Sequence, residues 1–177
     1  MTIDTLVKQS SANTHVGLAG IDTQRLKAMR NASLRECFRR IEETSNRMEF
    51  VARVYGREYI CDAAARSVNA TWYTLESLQG GLIWIADAAD GDFSRLIPVA
   101  LRKVHMLLIL GEGGEAMRDA FAGVVPTVQC CSSMTEAIGK ACHYEDGDVK
   151  VVYSPACHNG INTADLGAQF RREVNEI

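Results

Sequence analysis

The chain has 177 residues, 47% of them hydrophobic and 23% charged, with a formal net charge of −3. This is globular composition with room for one good core, and its interspersed acids and bases offer neither a basic stripe for nucleic acid nor a charged tail. No apolar run approaches the roughly 20 residues of a membrane span, and MTIDTLVKQSSANTH lacks the charged-then-apolar order of a signal peptide, so a cytoplasmic protein is expected.

Residues 1 to about 45 read as a tail followed by helices. Asp22 is placed to cap a short helix ending near Arg30, and Asn31 to cap a second, with Leu34, Cys37, Phe38 and Ile41 at i, i+3, i+4 and i+7 spacing. ETSN then breaks the pattern, and from Arg47 strands and helices alternate. EFVARVYGREYIC reads as a β-hairpin turning at Tyr55-Gly56. Ser67 caps a helix whose core face is Val68, Trp72, Leu75 and Leu78. GGLIWIA is a buried strand, FSRLIPVALRK a weak helix with Pro98 near its first turn, VHMLLIL a strand, GGEAMRDAFAG a short helix and TVQCC a strand. Ser133 and Glu136 form a capping box before Met134, Ala137, Ile138 and Ala141. DVKVVYS is a strand, and Leu166, Phe170, Val174 and Ile177 make the stripe of a closing helix. Helix-sized segments between short apolar strands require crossover connections. The expected fold is therefore α/β: a Rossmann-like, mostly parallel sheet of about six strands with an N-terminal β-hairpin and helices on both faces.

The six cysteines include no C-x-x-C pair, so neither a zinc site nor a thioredoxin-like motif is expected. They read as reduced thiols, with Cys61 and Cys130 in buried, strand-like runs. His105 reads as a core histidine, His15 and His143 as surface residues, and Trp72 and Trp84 as core. Cys157 next to His158 invites a Cys–His nucleophile, but adjacent side chains at a bend diverge and no third, orienting group is identifiable. GEGGEAMRD is glycine-rich yet carries no lysine and no following Ser/Thr, so it is a turn before a helix and not a phosphate-binding loop.

NRMEFVARVYGREYICD, VNATWYTLESL followed by LIWIAD, SMTEAI, and VVYSPAC leading to GAQFRREV together resemble, in order, the C-terminal domain of Mur ligases, most closely the muramoylalanine–D-glutamate ligase type. The resemblance implies a C-terminal-like domain over 46–177, preceded over 1–45 by a tail and helices like the end of the family's central ATPase domain. It further implies an ATP- and Mg²⁺-dependent ligase chemistry in peptidoglycan synthesis. In that chemistry ATP phosphorylates the carboxylate of a UDP-linked muramoyl-alanine, and the D-glutamate amine attacks the acyl phosphate. The central domain supplies the P-loop and the magnesium ligands, and the C-terminal domain the amino-acid pocket and part of the nucleotide contact.

The scaffold residues of the family pattern are present and several of its ligand residues are not. Where the family reads Asp-Ser-Lys-Ala-Thr-Asn, this chain reads DAAARS: Asp62 and Ala65 match, while Ala63, Ala64, Arg66 and Ser67 depart. Where it reads Gly-Gly-x-Asp-Lys-Gly, ADAADGD keeps at most Asp90 and Gly91 and has no lysine. Asp62, Asp87, Asp90 and Asp92 should leave the neighbourhood acidic. Ser-Pro-Ala-Cys is kept from Ser154 to Cys157, but the family's following Ala-Ser is His158-Asn159. Arg47 matches a family arginine near the nucleotide and Asp62 an aspartate near the ribose or phosphates; the alternative is an exposed Arg47 and a turn-capping Asp62. Asn13, in SANTH, is a candidate remnant of an ATP-site run. The ligand-binding candidates are Arg47, Asp62, Ser154, Cys157, His158 and Asn159. No catalytic or metal-ligating residue is expected, and no cofactor bound by this chain alone.

Two function classes follow. One is a degenerate Mur ligase C-terminal-like domain, non-catalytic on its own, that binds a partner protein or a small ligand at the sheet's carboxyl edge. The other is the amino-acid-binding part of a truncated or split ligase, active with a separate ATPase-domain partner. Neither class involves nucleic acid or a membrane span.

Overall fold

The computed structural model describes residues 23–42, 47–145, 147–157 and 163–177. His15, Asn13, Asp22, His158 and Asn159 fall outside them. Two compact units are distinguished, Met1–Cys37 and Phe38–Ile177. Helix α1 (Thr23–Glu42) is one continuous helix of 20 residues, which corrects the break expected at Arg30–Asn31. The stretch contains no glycine or proline, and an interior asparagine costs only a fraction of a kcal/mol against alanine.

Among its described residues the second unit has six strands: β1 (Glu49–Val54), β2 (Arg57–Cys61), β3 (Gly81–Asp87), β4 (Val104–Leu110), β5 (Thr127–Cys131) and β6 (Val149–Tyr153). They lie in the order β1-β2-β6-β3-β4-β5. Only β1 and β2 are antiparallel; β2–β6, β6–β3, β3–β4 and β4–β5 are all parallel. The hairpin turns at Tyr55 (φ 48°) and Gly56 (φ 82°), the paired positive angles of a tight two-residue turn.

Helices α2 (Val68–Ser77), α3 (Ile97–Lys103), α4 (Glu115–Phe121), α5 (Met134–Cys142) and α6 (Thr163–Asn175) fill the crossovers and close the chain. Forward crossovers put their helices on one face and the returning β5–β6 crossover puts α5 on the other, as the right-handed rule requires. On the α5/α6 face Tyr59, Ile83, Ile85, Leu108, Val151 and Tyr153 meet Ala137, Ile138, Phe170 and Val174. On the opposite face the Trp84 ring sits edge-on to Phe121 at 5.4 Å, and its Nε1–H donates to Ser154 O at 2.8 Å. Trp72 is also buried, beneath the Arg95 guanidinium.

Three expectations are corrected. Cys130 is exposed and its neighbour Cys131 is buried, because successive residues of a strand face opposite sides. Ile177 is 43% exposed and lies beyond the end of α6, so the buried stripe stops at Val174. His105 is only half-buried, its ring against the backbone of Gly81. Among the described residues, no helix is long and apolar enough to cross a membrane.

Candidate functional site at the carboxyl edge of the sheet

From β3 the chain runs outward to β4 and β5 and returns to β6 on the other side of β3. The loops leaving β3 and β6 therefore diverge to opposite faces, which makes a crevice at the carboxyl ends of the strands. Asp87 and Ala88 stand on one lip and Ser154 to Cys157 on the other, joined where Asp87 N–H donates to Pro155 O at 3.3 Å.

Arg47 and Asp62 are brought together. The guanidinium donates through Nε to Asp62 Oδ1 at 3.1 Å and through Nη2 to Asp62 Oδ2 at 3.0 Å. The Thr74 hydroxyl on α2 also reaches Asp62 Oδ2, and Arg47 Nη2 lies 3.5 Å from Ala70 O. Both charged side chains are buried, 3% and 0% exposed. This corrects both the exposed arginine and the turn-capping aspartate. The pair ties the entrance to β1, the end of β2 and helix α2 into one unit, and its donors and acceptors are engaged inside the protein.

Ser154 is fully buried and faces α2, its Oγ 2.8 Å from Thr71 Oγ1. Its backbone N–H donates to Ile85 O at 2.9 Å. It is a structural link between β6 and α2. Cys157 is half-buried, with Sγ 4.0 Å from Ala88 O. Ala156, between them, holds a left-handed φ of 65°, and its N–H donates to Ala65 O at 3.2 Å. Burial raises the Cys61 and Cys131 thiols above their ordinary range, which makes both poor nucleophiles. Among the described residues, no group of three or more His, Cys, Asp or Glu could hold a metal ion.

A feature absent from the sequence reading lies beside these loops. A cavity of about 260 Å³ opens at the ends of β3, β4 and β5 beneath α6. Asp87, Leu110, Met134, Leu166 and Gln169 line it, with Ser132 and Ser133 at the start of α5. Helix α6 roofs it through Leu166 and Gln169, and approaches the loop after β2 closely because position 167 is glycine: a Cβ there would lie 2.7 Å from Ala63 Cβ. Asp87 is 2% exposed and follows Ile83 and Ile85 on the same face of β3. The Tyr153 hydroxyl donates to its two oxygens at 3.1 and 3.3 Å. The signal in the sequence was a charge closing the apolar run LIWIAD, where alternation puts it on the face of the closing helix.

Burial pushes the Asp87 carboxyl up to about 6, and the Tyr153 hydrogen bond opposes this. Folding therefore favours the protonated acid. The resulting stabilisation is complete below the ordinary aspartate value near 3.8 and is lost as pH rises through about 6. Urea unfolding from pH 4 to pH 7.5 should show wild type losing about 1–3 kcal/mol relative to Asp87→Asn, which cannot titrate. Parallel curves for the two proteins would place Asp87 in water.

The acidity expected here is redistributed. Asp62 is neutralised by Arg47, whereas Asp90 and Asp92 are exposed on the loop after β3. Asp92 accepts from Ser94 N–H at 2.9 Å, and that bond holds its carboxyl below the ordinary value. Ala64, where the family pattern has lysine, is exposed and neutral.

No family model matches the chain. It is similar to curated proteins described as UDP-N-acetylmuramoylalanine–D-glutamate ligase. It is 33% identical to that of Porphyromonas gingivalis, over 92% of this chain and 37% of the relative. The ligase of Christiangramia forsetii is 30% identical over 100% of this chain and 41% of its own length. That of Salinibacter ruber is 31% identical over 100% and 40%. The chain thus spans about two fifths of the length of these relatives.

Proposed function

From a chain that is a MurD-like region of the Mur ligase type, we propose a function without D-glutamate addition: a domain that binds a small ligand at the carboxyl edge of its sheet. The observation that carries this reading is the charge at that edge. The two positions where the resemblance calls for lysine hold Ala64 and the acidic loop around Asp90, and Asp87 is buried at the end of β3. A dicarboxylate entering there would lose water and meet carboxylates in place of a cation.

The nucleotide fits no better. Arg47 and Asp62 face each other within the protein. The glycine-rich stretch before α4 has a packing role, since a Cβ at Gly114 would lie 2.8 Å from Ile109. It offers no lysine to a phosphate. Phosphoryl transfer depends on such electrostatic contacts, so no ligase step is assigned to this chain's residues.

An NMR titration with D-glutamate at millimolar concentration should leave the amides near Ala64 and Asp90 unshifted. Calorimetry with magnesium-ATP should give no tight binding. Saturable shifts at those amides, or micromolar ATP affinity (about −8 kcal/mol), would overturn the reading. They would favour a split ligase, the amino-acid-binding part of an enzyme completed by an ATPase-domain partner. That second reading is supported by similarity running through the whole chain to ligases of this type.

A further inference from the structure

We propose that the cavity beneath α6 takes a small primary amine, with its ammonium group on the Asp87 carboxylate and its hydrocarbon body against Leu110, Met134 and Leu166. This deepens the reading of the carboxyl edge as a small-ligand site and rests on it.

The charge argument comes first. Among the described residues, Asp87 is the one ionisable side chain lining the cavity; the serines, Gln169 and the apolar residues are neutral. A carboxylate offers about four acceptor sites. Among the described residues, its side-chain hydrogen bonds come from the single hydroxyl proton of Tyr153, shared between the two oxygens. A buried anion so thinly served gains from a cationic donor that replaces lost water.

An anion is disfavoured by the second wall. The N-terminus of α5, the natural anion seat, is already capped from both sides. Ser133 Oγ accepts from Glu136 N–H at 3.2 Å. The Glu136 carboxylate in turn accepts from Ser132 N–H and Ser132 Oγ, both at 2.7 Å. Lys140 balances Glu136 at 2.8 Å. A further carboxylate or phosphate would meet Glu136 as well as Asp87.

Size and shape narrow the class. About 260 Å³ lies below the roughly 300–1,000 Å³ of sites for drug-sized ligands, so a body of a few carbons fits. Gln169 commits its amide Nε2 to Glu173 Oε1 at 3.1 Å. Its amide oxygen is an acceptor suited to a second ammonium proton.

The test is an NMR titration of the full chain at pH 7.5 with n-butylamine, which is cationic there because alkylamines titrate near 10. Butan-1-ol and butyrate serve as matched neutral and anionic probes. The amine should give saturable shifts at Gly111, Ser132 to Met134 and Leu166, and raise the thermal midpoint. Butanol, and the amine on Asp87→Asn, should bind at least about tenfold more weakly (about 1.4 kcal/mol), and butyrate should not bind. Asp87→Asn removes a buried charge while keeping the side-chain shape, and its amide spectrum reports whether it is folded. Equal binding of butanol or butyrate, unchanged amine affinity in a folded Asp87→Asn, or no saturable shift would each overturn the proposal. D-glutamate shifting amides near Ala64 would instead strike the underlying functional reading. Silence toward both D-glutamate and butylamine would strike the amine site alone.

Discussion

Phe170→Ala should destabilise the protein by about 3–5 kcal/mol, measurable as a fall in the denaturation midpoint. The ring is fully buried. It stacks on Tyr153 at 5.8 Å between centroids and lies 6.4 Å from Tyr59, tilted by 43°. It anchors α6 to β2 and β6, with Val174 one turn further along and equally hidden. Truncation leaves a void where the helix crosses two strands, and typical domain stability is only about 5–15 kcal/mol. A loss below about 1 kcal/mol would mean that α6 is not docked on the sheet. Because α6 also roofs the cavity beside Asp87, the variant should lose any ligand response at that edge along with its stability.

Removing one partner of the Arg47–Asp62 pair should cost about as much, roughly 3–5 kcal/mol. Asp62→Ala leaves a guanidinium inside the protein facing Ala70 O and Thr74 Oγ1, and Arg47→Met leaves the carboxylate. The double variant Arg47→Met/Asp62→Leu strands no charge and should recover most of the loss, as apolar replacements of buried pairs often do. A double-mutant cycle reads the difference. Additive losses would show that the two residues do not interact in solution.

Much of the fold was legible because the elements obey local rules. The apolar runs at 82–86 and 106–110 are fully buried strands, and Ser67 and Ser133 cap helices as their positions suggest. The site was less legible because its contacts join residues far apart in the chain. Arg47 and Asp62 are 15 residues apart, and the local pattern makes one a surface cation and the other a turn residue. Tyr153 and Asp87 are 66 apart; each alone reads as the end of a strand. The close approach of α6 to the loop after β2 sets Gly167 against Ala63, a pairing of small residues that leaves no periodic trace. The helix break set at Asn31 failed for a simpler reason: a good cap residue also sits in a helix interior at small cost.

Strand β6 is the last of the six in the chain yet third in the sheet, inserted between β2 and β3. Until a ribosome has delivered residues 149–153, the β1–β2 hairpin and the β3–β4–β5 trio share no ladder, and each carries an open edge. Parallel pairing over such separations is slow and leaves apolar strands exposed to other chains. Val151 and Val152, wholly buried once seated, act as a keystone that arrives after the arch. A nascent chain stalled before them would present two sticky half-sheets to the chaperones at the exit tunnel. A peptide covering 147–177, supplied separately, should be able to lock such halves together.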